Sequence, residues 1–423
     1  MGLNRNGIGR YESIVLFVGF IGLVALILHY NRPPFYDEDD YLRNVDLLQQ
    51  YGFSKAYLLK HIGSAGPLYP ALHYILAPLT KLETPYIRLL NTFLLLGTIY
   101  FIRLILKNLQ FAQSYAWLVF AIPMTYVISG LALTEIPAVF FFSVALYLIT
   151  HSITSDSSYF KSVLLLAAAG LFISFAILGR QPFLLILGAL PILFFKKDQF
   201  FKTGILLLIT LIFSLALPCY VFIVWGGLVA PDDGALYIRI AEEGISIQPI
   251  FFFLCTAYYA IVFFIATPSF YIRLTTSEIL VSIVLTILFI GLNFKYHLFV
   301  FLPMAQLMRN TFSPIVVTWA EIIFGVLVLL VSLYFIVTLI RQLIRHNYQK
   351  ELLFFAAAIM LIALACIKIT WGFSSRYPAQ ALPFLVPMFA YFYKGNKYSN
   401  YRLGAGVLLG LTSLASYFIL IGS

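Results

Sequence analysis

Long apolar runs separated by short polar stretches fill most of the chain. A membrane-spanning helix needs about 20 apolar residues in succession, and segments approaching this length recur throughout the sequence. Their cores lie near residues 13–30, 86–106, 113–130, 136–150, 160–178, 182–195, 203–224, 249–266, 278–292, 315–340, 352–370, 379–393 and 403–421. The pattern predicts an all-α, multi-pass membrane protein with about thirteen transmembrane helices.

One apolar segment, Pro67–Leu82, is shorter than the others and is interrupted by Pro70 and Pro78. If it crossed the membrane, every later loop would change sides, so the distribution of basic residues decides its position. A crossing would put five basic residues outside, namely Lys196, Lys197, Lys202, Arg341 and Arg345. An interfacial position keeps most basic residues in cytoplasmic loops, and we therefore expect that topology.

This topology predicts a single membrane domain over residues 1–423. Residues 31–85 form its first outer loop with interfacial helices, 86–195 a core set of helices and 196–423 a more variable set. Two arginines precede the first apolar run, and no small-residue cleavage site follows it, which indicates a retained signal anchor with a cytoplasmic N-terminus. The short loops favour a bacterial inner membrane.

Composition supports the membrane prediction. The chain of 423 residues is 62% hydrophobic and 10% charged, whereas soluble domains carry about 25% charged residues. The basic excess, 27 Lys and Arg against 17 Asp and Glu, therefore indicates membrane orientation rather than binding to nucleic acid. The sequence contains no P-loop, Rossmann glycine pattern, HExxH or CxxC motif, which excludes a nucleotide-driven transporter. No disulfide framework, metal or cofactor is expected.

Four acidic residues stand in a row after the first apolar run: Asp37, Glu38, Asp39 and Asp40. Adjacent carboxylates repel one another, which makes one of them more ready to accept a proton, as a general base does. One alternative is a solvated cap at a helix N-terminus, where the helix dipole stabilises carboxylates. A metal site is a third possibility, although no histidine lies nearby at ligand spacing.

Two further polar positions lie at predicted outer ends of helices. Glu135, beside Thr134, is either a functional acid at the edge of the hydrocarbon or a helix cap. Arg180 and Gln181 occupy a turn between two apolar segments, where an arginine has no topological purpose. An anion such as phosphate is a suitable partner for this guanidinium, and a simple contact with lipid headgroups is the alternative.

More cations lie in the later outer loops. Arg376 and Tyr377 occupy the last outer turn, and Lys295, His297 and Arg309 lie in the third outer loop. Taken together they predict a phosphate-binding surface near the bilayer, although each one alone also fits a headgroup contact.

The order of these motifs resembles that of the GT-C glycosyltransferases, polytopic enzymes whose donor is a polyprenyl-phosphate-linked sugar. The matching residues are Asp37-Glu38, Gly66-Pro67-Leu68-Tyr69 and Arg88-Leu89-Leu90-Asn91. Thr134-Glu135 and the Arg180-Gln181 turn are similar to the dolichyl-phosphate-glucose α-1,2-glucosyltransferase branch. Arg376-Tyr377 followed by Pro383 is similar to a pattern in bacterial members. Gly66 departs from the family, whose members often have two prolines before the Leu-Tyr pair.

The resemblance implies an inverting sugar transfer on the non-cytoplasmic side of the membrane. Asp37 is the implied base, and Glu38, Asp40 and Glu135 are further catalytic candidates. The residues implied in binding the donor phosphate are Arg180, Gln181, Arg376, Tyr377, Lys295, His297 and Arg88. His61 and Tyr69 are expected near the acceptor.

The implied partners are a polyprenyl-phosphate sugar donor, membrane lipid and a glycan, lipid or protein acceptor. A flippase or transporter of a lipid-linked or polar solute is the alternative. Such a carrier should place charges at mid-membrane, where Glu321 and Lys368 are the candidates.

Overall fold

The computed structural model describes residues 7–35, 37–155, 158–194, 199–231, 248–296, 308, 310–369, 373–374 and 376–421. In these parts of the chain the regular structure is helical and contains no strand. Eight of the helices described are long and apolar enough to cross a membrane. The predicted all-α, multi-pass membrane architecture is therefore confirmed.

The helices follow one another in a mixture of long and short elements. The first half contains α1 (Arg10–His29), α2 (Asp37–Tyr51), α3 (Lys55–Lys60), α4 (Leu68–Thr80), α5 (Tyr86–Asn108), α6 (Met124–Gly130), α7 (Glu135–Thr154), α8 (Tyr159–Gly179), α9 (Phe183–Ile186) and α10 (Leu190–Phe194). The second half contains α11 (Phe200–Trp225), α12 (Ile250–Ala266), α13 (Thr276–Tyr296), α14 (Pro314–Arg345), α15 (Lys350–Ala365), α16 (Arg376–Ala379), α17 (Leu382–Phe392) and α18 (Ser399–Ser416).

The predicted count of about thirteen spans is not confirmed. Besides the eight long helices, the described residues contain shorter apolar helices at Phe183–Phe194, Ile250–Ala266, Thr276–Leu292 and Leu382–Phe392. The predicted continuous span over residues 113–130 is instead a 3₁₀ helix, Gln113–Ala121, followed by α6. Pro123 lies at the break, because a proline cannot donate a backbone hydrogen bond and its ring clashes with the preceding turn.

The segment predicted to lie in the interface forms α4, which has 13 residues. At 1.5 Å per residue it is about 20 Å long, whereas the hydrocarbon core is about 30 Å thick. Its length is therefore insufficient to cross the bilayer. Tyr69 and His73 lie on its buried face, while the apolar side chains of Ile75 and Leu79 are exposed.

Close backbone approaches fix the arrangement around one end of α7 and α8. A Cβ atom at Gly66 would overlap the carbonyl oxygen of Leu178, so the segment before α4 lies directly on the end of α8. A Cβ atom at Gly179 would lie 2.8 Å from the Cβ of Ala138 in α7. Because glycine permits both approaches, the 31–85 region, α7 and α8 converge where Arg180 leaves its helix.

Candidate active site

Four charged side chains from distant parts of the chain meet at this point. Asp37 begins α2, Glu135 begins α7, Arg180 follows α8 and Arg376 begins α16. Arg376 Nη1 donates to Asp37 Oδ2, and Arg376 Nε lies 3.7 Å from Glu135 Oε1. Arg180 Nη2 donates to the same oxygen of Glu135. We call these four residues the charged cluster.

Local sequence places each member of the cluster at a helix end. Two prolines, Pro33 and Pro34, precede α2, and both Asp37 and Glu135 lie in a first helical turn, where the dipole favours a carboxylate. Arg180 directly follows Gly179, the residue that lets α8 approach α7 closely. The helix termini thus bring alternating charges together without placing any of them along the middle of a long span.

Burial differs along the cluster. The side chain of Glu135 is 0% exposed, and those of Arg180 and Arg376 are 7% and 11% exposed. Asp37 is the most accessible member, with 25% of its side chain exposed. The cluster therefore has a buried centre at Glu135 and an accessible end at Asp37, which is the end that a substrate can reach first.

Tyr41 lies one turn beyond Asp37 in α2 and orients its carboxylate. The Tyr41 hydroxyl donates to Asp37 Oδ2 over 3.4 Å. Burial raises the pKa of Tyr41 to about 12 against the opposing effect of Arg180 and Arg376, so the hydroxyl stays protonated at neutral pH. Tyr41 and Arg376 both contact Oδ2, which leaves Asp37 Oδ1 as the oxygen suited to accept a proton.

The cluster does not satisfy all its own polar atoms. Among the described residues, Glu135 Oε2 and Arg180 Nε are buried without a hydrogen-bond partner. Burial alone would lower the pKa of Arg180, but the Glu135 carboxylate and Tyr41 raise it above its ordinary value. The guanidinium therefore stays charged with an unused donor. A buried cation with a free N–H group is suited to bind an anionic oxygen.

Glu38 turns away from the cluster and pairs with Arg88, and we call these two residues the anchor pair. Glu38 Oε1 accepts from Arg88 Nε (2.9 Å) and from the backbone N–H of Ala132 (2.7 Å). Glu38 Oε2 accepts from Arg88 Nη2 (2.7 Å) and from the backbone N–H of Phe35 (3.2 Å). Two hydrogen bonds at each oxygen leave this carboxylate no position for a substrate proton.

Arg88 is as completely satisfied as its partner. Besides its two bonds to Glu38, it donates to the backbone carbonyls of Tyr30, Arg32 and Pro33. A guanidinium has five N–H donors, and these contacts use all of them. Glu38 and Arg88 were predicted as a catalytic candidate and a phosphate ligand. In the structure Glu38 and Arg88 instead pair with each other and with backbone groups. These contacts join α2 and α5 to the turn before α7.

The other two acids of the row face solvent. Asp39 lies 2.6 Å from Arg43 Nη2, and Asp40 lies 3.6 Å from Arg43 Nη1, with more than half of each carboxylate side chain exposed. These are contacts between neighbouring turns of one helix, and such surface pairs contribute little to stability. The solvated-cap interpretation therefore describes Asp39 and Asp40, including the predicted catalytic candidate Asp40.

Gln181 and His61 also bind to the protein itself. Gln181 Nε2 donates to the carbonyl oxygens of Ser64 and Leu228, which holds the Arg180 turn against the 31–85 region. His61 Nε2 lies 2.8 Å from the carbonyl oxygen of Ala65, and Nδ1 lies 3.1 Å from the hydroxyl of Tyr57. Gln181 was predicted to bind the donor and His61 to lie near the acceptor, whereas in this structure both side chains contact backbone carbonyl oxygens.

Tyr69 and Tyr377 do lie beside the charged cluster. The ring of Tyr377 lies 5.5 Å from the Arg376 guanidinium, close enough for a cation–π contact. Tyr69 is fully buried 5.6 Å from the ring of Tyr41, and its hydroxyl has no hydrogen-bond partner among the described residues. Both predicted positions thus border the site, and their roles in binding remain predictions.

The predicted cations of the third outer loop cannot be placed in the site. Lys295 belongs to α13, where its side chain is not described, and His297 and Arg309 lie outside the described residues. In the part of the chain that the structure describes, no three His, Cys, Asp or Glu residues lie together as metal ligands would. The arrangement that is described offers one accessible carboxylate beside two arginines.

Two residues of the site were missed in the sequence. Tyr41 contacts Asp37, and His73 packs against Tyr69 with ring centroids 4.3 Å apart. Both nitrogens of His73 are buried without a hydrogen-bond partner among the described residues. The available signal was spacing, because residues four apart lie on one helix face and 37/41 and 69/73 have that separation.

Comparison with known proteins adds a family match. Residues 23–230 match the family model of dolichyl-phosphate-mannose-protein mannosyltransferases, a segment that contains Asp37, Glu135 and Arg180. No curated protein sequence matches the chain.

Two solved structures are similar in fold. One is ArnT from Cupriavidus metallidurans bound to undecaprenyl phosphate, with a TM-score of 0.42 and 12% identity over 97% of this chain and 80% of that one. The other is the Archaeoglobus fulgidus oligosaccharyltransferase in complex with zinc and sulfate, with a TM-score of 0.34 and 14% identity over 90% of this chain and 54% of that one.

Proposed function

We propose that this chain is a membrane glycosyltransferase of the GT-C superfamily and that it moves a sugar from a polyprenyl-phosphate donor to an acceptor hydroxyl on the non-cytoplasmic side. The observation that carries the proposal is the pairing of the accessible Asp37 with Arg376, beside the buried Glu135 and Arg180. It combines a proton acceptor with two cations, which are the groups that transfer from a lipid phosphate requires.

Asp37 acts as the general base in this proposal. Its Oδ1 accepts the proton of the acceptor hydroxyl while that oxygen attacks the anomeric carbon of the donor sugar. The bond from the anomeric carbon to the phosphate oxygen breaks on the opposite face, so the configuration at that carbon is inverted. The bonding electron pair leaves with the phosphate oxygen, and the products are the glycosylated acceptor and the lipid phosphate.

Arg180 and Arg376 stabilise the departing phosphate. Glu135 holds both guanidinium groups, since Oε1 accepts from Arg180 and lies 3.7 Å from Arg376 Nε. Fixed cations in a buried site stabilise developing negative charge without having to reorganise during the reaction. Glu135 is therefore a positioning residue in this mechanism, and the two arginines bind the phosphate.

The direction of the helices supports the proposed non-cytoplasmic position of the site. The cluster lies where α7 begins and α8 ends, whereas Arg103 and Lys107 lie near the end of α5 and Lys161 lies near the start of α8. Those three basic residues therefore lie at the opposite ends of the helices that border the site. Basic residues concentrate on the cytoplasmic side, which supports a non-cytoplasmic position for the cluster.

The proposal is tested with the purified full chain in lipid nanodiscs. The donors are labelled polyprenyl-phosphate hexoses and pentoses, and the acceptors are a cell-envelope extract fractionated into lipid, glycan and protein. Arg180→Ala should lower transfer about 100-fold, because one fixed donor to the leaving group is lost. Arg43→Ala, which removes an exposed arginine that pairs with Asp39 and Asp40 within α2, should leave transfer unchanged.

Transfer by the wild-type chain from a nucleotide sugar instead of a polyprenyl-phosphate sugar would overturn the donor class. Equal transfer by Arg180→Ala and Arg43→Ala would remove Arg180 from the phosphate site.

A further inference from the structure

Arg376 occupies a position between the candidate base and the buried centre of the cluster. Its Nη1 donates to Asp37, and its Nε faces Glu135 at 3.7 Å. Its side chain is 11% exposed, and that of Asp37 is 25% exposed. The contact with Asp37 therefore lies at the accessible side of the guanidinium, and the contact with Glu135 at the buried side.

The proposed reaction moves a negative charge across this position. Asp37 starts as a carboxylate and becomes neutral when it takes the proton of the acceptor hydroxyl. At the same step the donor phosphate, a diester with one negative charge, becomes a monoester with an additional charged oxygen. One negative charge thus disappears on one side of Arg376 as another appears at the leaving group.

We infer that Arg376 exchanges its ion-pair partner during the reaction, from the Asp37 carboxylate to the leaving lipid phosphate. The inference rests on the proposed function. The guanidinium that neutralises the base loses that negative partner at the moment when the phosphate gains a negative charge. Glu135 Oε1 lies 3.7 Å from Arg376 Nε on the buried side of the guanidinium, so the exchange needs no large movement of the side chain.

The exchange links product binding to the charge of Asp37. While Asp37 is protonated, Arg376 has the lipid phosphate as its accessible partner and holds it firmly. Once Asp37 passes the proton to solvent water, its carboxylate competes with the phosphate for Arg376, and the lipid phosphate is released. Arg376 is therefore a catalytic residue that couples proton acceptance to the departure and release of the leaving group.

Binding of undecaprenyl phosphate to the purified chain tests this coupling without requiring transfer. Asp37→Asn imitates the protonated carboxyl, so it should bind undecaprenyl phosphate about tenfold more tightly than the wild-type chain. Asp39→Asn is the matched control, because it makes the same change in charge two residues away but faces Arg43. Asp39→Asn should bind undecaprenyl phosphate with wild-type affinity. The tighter binding of Asp37→Asn should be lost in Asp37→Asn/Arg376→Gln.

Three results would overturn the exchange. The first is that Asp37→Asn binds undecaprenyl phosphate no more tightly than the wild-type chain does. The second is an equal gain in affinity in Asp39→Asn, and the third is a gain in affinity that persists in Asp37→Asn/Arg376→Gln. Undecaprenol, which lacks the phosphate, controls for binding of the lipid chain, and thermal unfolding verifies that each variant is folded. If the wild-type chain transfers sugar and any of these three results is found, only the proposed exchange is overturned. If the wild-type chain binds no polyprenyl phosphate, the proposed function is overturned as well.

Discussion

Asp37 and Glu38 are neighbours in the chain, yet they belong to ion-pair systems of opposite kind. Glu38 and Arg88, the anchor pair, are almost fully buried and satisfy every hydrogen-bonding position of each other with help from the backbone. Asp37 belongs to the charged cluster, which is partly accessible at Asp37 and leaves Glu135 Oε2 and Arg180 Nε without partners among the described residues.

The difference distinguishes an ion pair whose hydrogen bonds are all made within the protein from a cluster that has hydrogen-bonding capacity left over. Leaving a buried polar atom without a partner costs about 1–3 kcal/mol, so a fold that keeps such atoms together is destabilised by them. Hydrogen bonds offset the burial of charge in the anchor pair, while the charged cluster retains unused hydrogen-bonding capacity. Substitutions in the two systems test whether that unused capacity serves a substrate.

Asp37→Asn gives the largest expected effect. Losing the proposed base should lower sugar transfer about 1000-fold, within the range that general-base catalysis contributes, while the melting temperature changes little. The measurement is turnover with a labelled polyprenyl-phosphate sugar together with thermal unfolding of the same preparation. Asp39→Asn is the control and should retain wild-type turnover; comparable losses in both variants would show that the acidic row acts as a surface charge.

Glu38→Ala should lower the stability of the protein, which Asp37→Asn should change little. Removing one partner of a buried ion pair leaves Arg88 uncompensated, which should destabilise the protein by about 3–5 kcal/mol. Denaturation of the variant in detergent measures the loss. Glu38→Leu/Arg88→Met, which removes both charges, should recover part of the stability. A stable Glu38→Ala variant that binds substrate normally but lacks turnover would instead return Glu38 to catalysis.

The sequence predicted the positions of helices more reliably than it predicted which acid belongs to the charged cluster and which belongs to the anchor pair. The apolar core predicted at 160–178 became α8 (Tyr159–Gly179), because a long apolar run in a membrane has few alternatives to a helix. The segment predicted as one helix at 113–130 is instead divided into two shorter helices, since the tendency of Pro123 to break a helix outweighed the apolar pattern.

The site depends on information that sequence patterns do not contain. Asp37 and Arg376 are 339 positions apart, and no local pattern indicates that their side chains meet. Asp37 and Glu38 are adjacent and chemically similar, and the turn of the helix alone directs one to Arg376 and the other to Arg88. The acidic row could be recognised as a candidate site from the sequence, but the role of each acid required the fold.

The same comparison applies to two buried histidines, with a smaller expected effect. His61 has a partner at each ring nitrogen, whereas His73 has none among the described residues. His61→Phe should destabilise the protein by about 1–3 kcal/mol, because the hydroxyl of Tyr57 loses its partner. His73→Phe should leave stability unchanged or raise it, and lower transfer if the imidazole contacts a sugar. Thermal unfolding and turnover of both variants measure the contrast.

The pH dependence of stability gives the smallest effect near neutral pH. Burial lowers the pKa of both His61 and His73 to about 4, below the ordinary value of 6.5. Between these values the unfolded chain binds more protons than the folded one, so stability falls as the pH decreases from 6.5 toward 4. His73→Phe should flatten the dependence of melting temperature on pH in this window. An unchanged slope would contradict the burial of a neutral His73.

A structure of Asp37→Asn with undecaprenyl phosphate would show whether the charged cluster binds the lipid phosphate. We expect density for the phosphate within hydrogen-bonding distance of Arg376 and Arg180, with Glu38 and Arg88 still paired as they are in the present structure. Phosphate density at the opposite ends of the helices, near Arg103 and Lys161, would contradict this assignment. An Arg376 still bound to residue 37, with the phosphate bound elsewhere, would contradict it equally.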